Sequence, residues 1–131
     1  MNRVLWGLQI ALGIYFIAVG VVHFIVPDGL PGPMAWMYEL PDAVHAIAGT
    51  AEILGGLGLV LPGLTRIRPG LTVWAAVGLV VVMLGAVVFH VGRGEAGNVA
   101  MNLALAGLLG YVGYARARRS PLPGSFDTPA A

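Results

Sequence analysis

Four times along its 131 residues this chain passes through about twenty mostly apolar residues in a row, and the four runs together contain a single Asp, Glu, Lys or Arg, in the second of them. Where water is absent, backbone N–H and C=O groups must find partners within their own segment, so each run is required to be helical. At 1.5 Å per residue each helix is long enough to cross the hydrocarbon core of a bilayer. The runs cover 4–26, 43–61, 70–91 and 98–115. Composition points the same way, with 58% hydrophobic and 10% charged residues against about a quarter charged in soluble domains. The expected fold class is all-α, an antiparallel up-down four-helix transmembrane bundle. It occupies residues 1–115, and 116–131 are expected to form a basic tail, an ordered stub followed by a flexible stretch.

The first run is longer than a signal-peptide core and no small-residue cleavage site follows it, so it is read as a span. The sequence contains no cysteine, which removes disulfides, thiolate nucleophiles and thiolate metal sites from consideration. Residues 27–42, PDGLPGPMAWMYELPD, break the helix with prolines and glycines and carry the amphipathic Trp36 and Tyr38 of an interfacial loop with room for one short helical turn. Asp42 is placed to cap the second helix and Pro62 to end it. The turns GLTRIRP and GRGEAG are too short for anything but antiparallel neighbours.

Arg3, Arg66, Arg68, Arg116, Arg118 and Arg119 fall on one side of the bundle. The other side has Arg93 among Asp28, Glu39, Asp42 and Glu95. The positive-inside rule then makes both termini cytoplasmic and the location a plasma (inner) membrane, crossed several times. Arg116, Arg118 and Arg119 read as a topology determinant that touches anionic lipid. The expected partners are the lipid bilayer and a membrane complex or a second copy of the chain, with no nucleic acid.

Alternating steps of four and three residues put Gln9, Gly13, Phe16, Gly20 and His23 on one face of the first helix. The same steps align His45, Gly49, Glu52, Gly56 and Leu59 on the second. The third helix has Thr72, Ala76, Leu79, Met83, Ala86 and His90, and the fourth Asn98, Asn102, Ala106, Leu109 and Gly113. Facing these stripes inward brings His23, His45 and His90 to one level near the outer surface, with Asn98 and Asn102 beside them. Glu52 then lies roughly 13 Å down its helix. A carboxyl there costs about 2.5–3.5 kcal/mol even on lenient insertion scales. It is expected to be protonated or hydrogen-bonded to Asn102, Tyr15 or a histidine above it. It either joins helices or anchors a ligand headgroup at the floor of an outward-facing polar cavity. The histidines come from three helices without HxxxH, HxxE or HExxH spacing, so no metal site is assigned and haem or metal is the weaker reading. No catalytic motif marks the chain as an enzyme.

From Ala51 onward, AEILGGLGLVLPGLTRIRPGLTVWAAVGLVVVMLGAVVFHVGRGE resembles the DoxX-like family of small four-helix membrane proteins, a likeness that extends over about 4–115. It is carried by Gly49 with Glu52, the run Gly55 to Leu59, Pro62, Met83 to His90 and Arg93 to Glu95. The resemblance implies a link to quinone-reducing thiosulfate oxidase and membrane oxidoreductase assemblies, or to the chaperoning of ion-channel receptors seen among eukaryotic relatives. The expectation is therefore an accessory membrane protein that binds a quinone or other amphipathic small molecule beside redox partners. Glu52, His45, His90, Asn102, His23 and Asn98 are the candidate ligand-binding residues. The alternative is a non-enzymatic assembly or packing subunit, or chaperone, of a larger membrane complex.

Overall fold

The computed structural model describes residues 2–125. Four long helices follow in order: α1 Asn2–Ile25, α2 Asp42–Thr65, α3 Leu71–Arg93 and α4 Ala96–Tyr114. All four are long and apolar enough to cross a membrane. A 3-10 helix, Gly32–Glu39, lies in the proline-rich loop and is called the rim helix here, and α4 closes in a π turn, Ala115–Arg119. Among the described residues there is no strand.

The stripes read from spacing do face inward. Gln9, Phe16, His23, His45, Glu52, Leu59, Thr72, Ala76, Leu79, Met83, His90, Asn102 and Leu109 are all buried. A single apolar cluster, Leu12, Phe16, Leu59, Ala76, Leu79, Met83, Leu109 and Val112, draws on all four helices. The buried histidines lie toward one end of the bundle, the histidine end, and Arg3, Arg66, Arg68 and Arg116 mark the opposite, arginine end.

Glycine sets how closely α1 and α2 approach. Gly13 faces Gly56 and Gly20 faces Gly49, each pair seven residues from the next on its own helix, as antiparallel register requires. A Cβ at Gly56 would stand 2.7 Å from the Gly13 carbonyl oxygen, and one at Gly20 would stand 2.8 Å from that of Gly49. Between membrane helices this backbone-to-backbone packing replaces the hydrophobic force that lipid does not supply. α2 meets α3 in the same way, with Gly55 against Leu79 and Gly58 against Ala75.

Several boundaries depart from the sequence reading. α2 does not stop at Pro62 but runs through it to Thr65, and Arg66 ends it in the left-handed region at φ 59°. Proline removes one helix bond, that of the Gly58 carbonyl, and with no water to replace the remaining bonds the helix continues past the loss. Asp42 is not the N-cap. It is the first residue of α2 and makes no capping bond, while Val44 and His45 donate their N–H groups to the Pro41 carbonyl. As an acid in the first turn it still complements the positive end of the helix dipole.

The ordered stub expected from Arg116 at the head of the tail is the π turn, which buries Arg116, and Leu122 beyond it is only 4% exposed. The extra residue in a π turn swings the guanidinium inward, where Gln9 and Asn2 accept from it. Residues 126–131 of that tail lie outside the described residues.

Candidate functional site

Glu52 lies on the buried stripe of α2 at 5% exposure, and its Oε2 has no hydrogen-bond partner. The nearby polar group is His23 Nε2, at 3.5 Å, beyond good hydrogen-bond length. His23 in turn meets His45, Nδ1 to Nδ1, at 2.9 Å, and His45 Nε2 meets the Met37 carbonyl oxygen at 2.9 Å.

These contacts order the protons. A backbone carbonyl only accepts, so His45 Nε2 carries a hydrogen, and its neutral ring offers Nδ1 as an acceptor. His23 must then donate from Nδ1, which leaves its Nε2 lone pair turned toward Glu52. With neutral side chains, as an apolar setting favours, the donor at the end of the chain is the carboxylic acid O–H of Glu52. The rim helix thus fixes, through two histidines, that His23 turns a lone pair toward Glu52.

Beside this chain lies a cavity of about 410 Å³ between α2 and α3. Its walls are apolar, with Val44, Ile47, Ala48 and Ala51 from α2 and Val82, Gly85, Ala86 and Phe89 from α3. Glu52, His23 and His90 supply the polar groups, and Trp36 and Leu40 at the rim roof it over. The Trp36 ring stands between His23 and His90, with centroids 5.9 and 5.1 Å away, and Phe89 meets Trp36 edge-on at 6.1 Å. The volume and the mostly apolar lining are those of small-molecule sites.

The mouth is not where the sequence placed it. Ile47, 72% exposed, and Val44 flank the opening at the level of the spans, so it faces sideways toward lipid instead of outward to water. The reason is the rim helix, which closes the histidine end. Asn98 Nδ2 donates to the Pro33 carbonyl at 3.0 Å, and Arg93 bonds Glu39 at 2.5 Å. Tyr38 accepts from the Leu30 N–H and donates to the Pro27 carbonyl, both at 2.9 Å.

Of the six candidate residues, three line the cavity: Glu52, His23 and His90. His45 stands behind His23 and sets its tautomer. Asn98 anchors the rim helix, and Asn102 donates to the Asn98 carbonyl at 2.8 Å, so neither reaches the cavity. Nor does Asn102 or Tyr15 bond Glu52. Among the described residues no three His, Asp or Glu side chains gather as a metal site. Trp36 and Phe89 were missed as lining residues. Trp36 lies in a proline-broken loop without periodicity, and Phe89 looks like any other apolar position of α3. Glu95 was also missed, although Gly94 carried the signal. At φ 71° Gly94 reverses the chain, the Glu95 N–H returns to the His90 carbonyl, and its carboxylate meets His90 Nδ1 at 2.5 Å.

Arg93 joins both acids of this rim, bonding Glu39 and, at 2.9 Å, Glu95. The hydrogen bond from Arg93 holds the Glu39 carboxyl below its ordinary 4.5. The Glu95 carboxyl is held below the same value first by His90 and then by Arg93. Carboxyls whose values drop on folding stabilise the folded form above the unfolded value, and that contribution is lost as pH falls through the lowered one. Below about pH 4.5 the rim helix is therefore expected to loosen, shifting Trp36 emission to the red in a background with Trp6 and Trp74 replaced by Phe. Arg93→Gln should remove the Glu39 share of this acid step and leave the share that His90 gives Glu95. A step unchanged by Arg93→Gln would show that the clamp is not its source.

The bundle and its laterally open cavity define a small multi-pass membrane protein with an acid held at the back of a lipid-side pocket. A sequence model of the DoxX-like family matches residues 7–112, most of the chain, and this protein belongs to that family. No curated protein and no solved structure matches it.

Proposed function

We propose that this protein binds a quinone, or another flat amphipathic molecule with carbonyl acceptors, in the α2/α3 cavity, and serves as an accessory to redox partners in the plasma membrane with both termini cytoplasmic. The observation that carries the reading is the unpartnered Glu52 Oε2 at the back of a lipid-side apolar cavity. A quinone carbonyl accepts and cannot donate, and a neutral Glu52 carries one O–H, which a bound carbonyl would draw away from the His23 lone pair 3.5 Å off. Trp36 and Phe89 offer ring faces and edges to a planar head, and His90 lies on the same wall. The sideways mouth suits a molecule that arrives dissolved in lipid. The placement of arginines supports the orientation.

Titration of the purified protein in detergent with a tail-less benzoquinone, followed by Trp36 quenching, tests this. Loss of a buried hydrogen bond costs about 1–3 kcal/mol, so Glu52→Leu should weaken binding by about fivefold to 150-fold. Glu52→Gln keeps a donor and should fall between. Equal affinity of wild type and Glu52→Leu, or no saturable binding by wild type, removes the reading.

A second reading, an assembly or packing subunit, draws support from α4, where Gly107 and Gly110 meet nothing within the chain. Glu52→Leu would leave that role untouched.

A further inference from the structure

A shallower hollow of about 250 Å³ continues along the α2/α3 seam from the cavity toward the arginine end. The two share Ala51, and the rest of the hollow is formed by Leu54, Gly55, Ala75, Gly78 and Leu79, without one polar side chain. Gly78 lines this groove and Gly85, two helical turns away on α3, lines the cavity. A Cβ at either would meet nothing within 4 Å, unlike those at Gly13, Gly20, Gly49, Gly55, Gly56 and Gly58. Glycine inside a helix costs about 0.8–1 kcal/mol relative to alanine, and hydrocarbon would accept any apolar side chain at either position. Close packing within the chain accounts for those six but not for these two, nor for Gly107 and Gly110 on α4; what sets Gly78 and Gly85 apart is that they line the two hollows. What they do is keep a continuous furrow open on the lipid face of the seam.

The dimensions select the occupant. A helix with its side chains is about 10 Å across and does not enter a hollow of about 250 Å³, whereas a single extended hydrocarbon chain does. From Gly85 to Gly78 the furrow runs about 10 Å, the length of the first units of a prenyl or alkyl chain. We infer that the furrow along Ala51, Gly55, Ala75 and Gly78 seats the proximal tail of the molecule whose head enters the Glu52 cavity, so that the ligand class is long-tailed. This rests on the head-binding reading above and adds the path of the tail.

Leaving lipid or detergent for the furrow gains packing but no hydrophobic transfer, so the tail contributes modestly. Wild type should bind a decyl-substituted benzoquinone about threefold to tenfold more tightly than the tail-less one, after correction for partitioning into protein-free micelles. Gly78→Leu fills the furrow from the lipid side and should erase that preference while tail-less affinity stays as in wild type and the melting temperature does not fall. If wild type binds the tail-less probe and shows no preference for the tail, the furrow assignment falls alone. If neither probe binds, head and tail readings fall together. A tail preference that survives Gly78→Leu also overturns the assignment. So does its survival alongside a changed oligomeric mass in light scattering, which would give the furrow to a protein contact.

Discussion

Gly56→Leu is expected to yield no folded protein in detergent, and Gly56→Ala to lower stability by about 1–3 kcal/mol. A Cβ at this position lies 2.7 Å from the Gly13 carbonyl oxygen, 2.8 Å from Ile17 Cγ1 and 3.1 Å from the Ile17 nitrogen. Two of these three atoms are backbone, so no side-chain rotation relieves the clash and the helices must separate. Separation is costly because the contact is reciprocal. A Cβ at Gly13 meets Val60 and the Gly56 carbonyl, and Gly20 and Gly49 repeat the arrangement one heptad away. Lipid competes well for apolar side chains, so once the backbones lose contact little else draws α1 and α2 together. Gly20 and Gly49 also lie three residues from His23 and Glu52 on their own helices, so the packing that holds the pair holds the site. Gly107→Ala and Gly110→Ala, where a Cβ meets nothing, should be neutral or gain up to about 1 kcal/mol of helix propensity. Thermal unfolding followed by circular dichroism and size exclusion separates the cases, and a folded Gly56→Leu protein with wild-type melting would refute the account.

The inward faces were legible because packed membrane helices put small and polar residues on one stripe, and the four-and-three spacing of Gly13, Gly20, Gly49, Glu52 and Gly56 displays it directly. Spacing assigns a residue to a face but not to a neighbour. Glu52 was expected to meet Asn102, Tyr15 or a histidine above it, and spacing alone did not choose among them: α1 packs so closely on α2 that His23 stands at 3.5 Å, while Asn102 turns to its own helix. The cavity was not legible in its true form for a related reason. It is made by side chains that are small or absent, Ala48, Ala51 and Gly85, and such residues look the same whether they close a gap or leave one. The four prolines and two glycines of residues 27–42 announce a loop with room for one short helical turn and say nothing of its folding over the histidine end to turn the mouth sideways. Pro62 misled through a rule learned in water, where a helix can fray into solvent at low cost.

Arg116→Ala should destabilise the bundle by about 2–4 kcal/mol, in contrast to Arg118→Ala and Arg119→Ala, which should stay within about 0.5 kcal/mol of wild type. The three arginines look alike in sequence as a basic cluster, but Arg116 is 1% exposed and the other two lie on the surface. Its Nε donates to Gln9 Oε1, and Nη1 donates to Asn2 Oδ1 at 2.6 Å and to the Ser120 carbonyl at 3.0 Å. The guanidinium lies 5.3 Å from the Trp6 ring centre. Gln9 passes the connection on, donating to the Leu59 carbonyl at 2.6 Å. One side chain on α4 is thereby tied to α1 and, through Gln9, to α2, and α1 and α4 touch little elsewhere. Among the described residues no carboxylate pairs with this cation, which is held by amide dipoles and an aromatic face. Truncation therefore loses charge-assisted hydrogen bonds and leaves Gln9 with a buried acceptor unmet. Arg116→Lys cannot reach Gln9 and Asn2 in the same fork and should recover only part of the loss. A double-mutant cycle with Gln9→Leu should show a coupling of about 1 kcal/mol or more. If all three arginines instead behave alike and the coupling vanishes, they act as a shared surface charge toward lipid, and the arginine end is held by α2 and α3 packing alone.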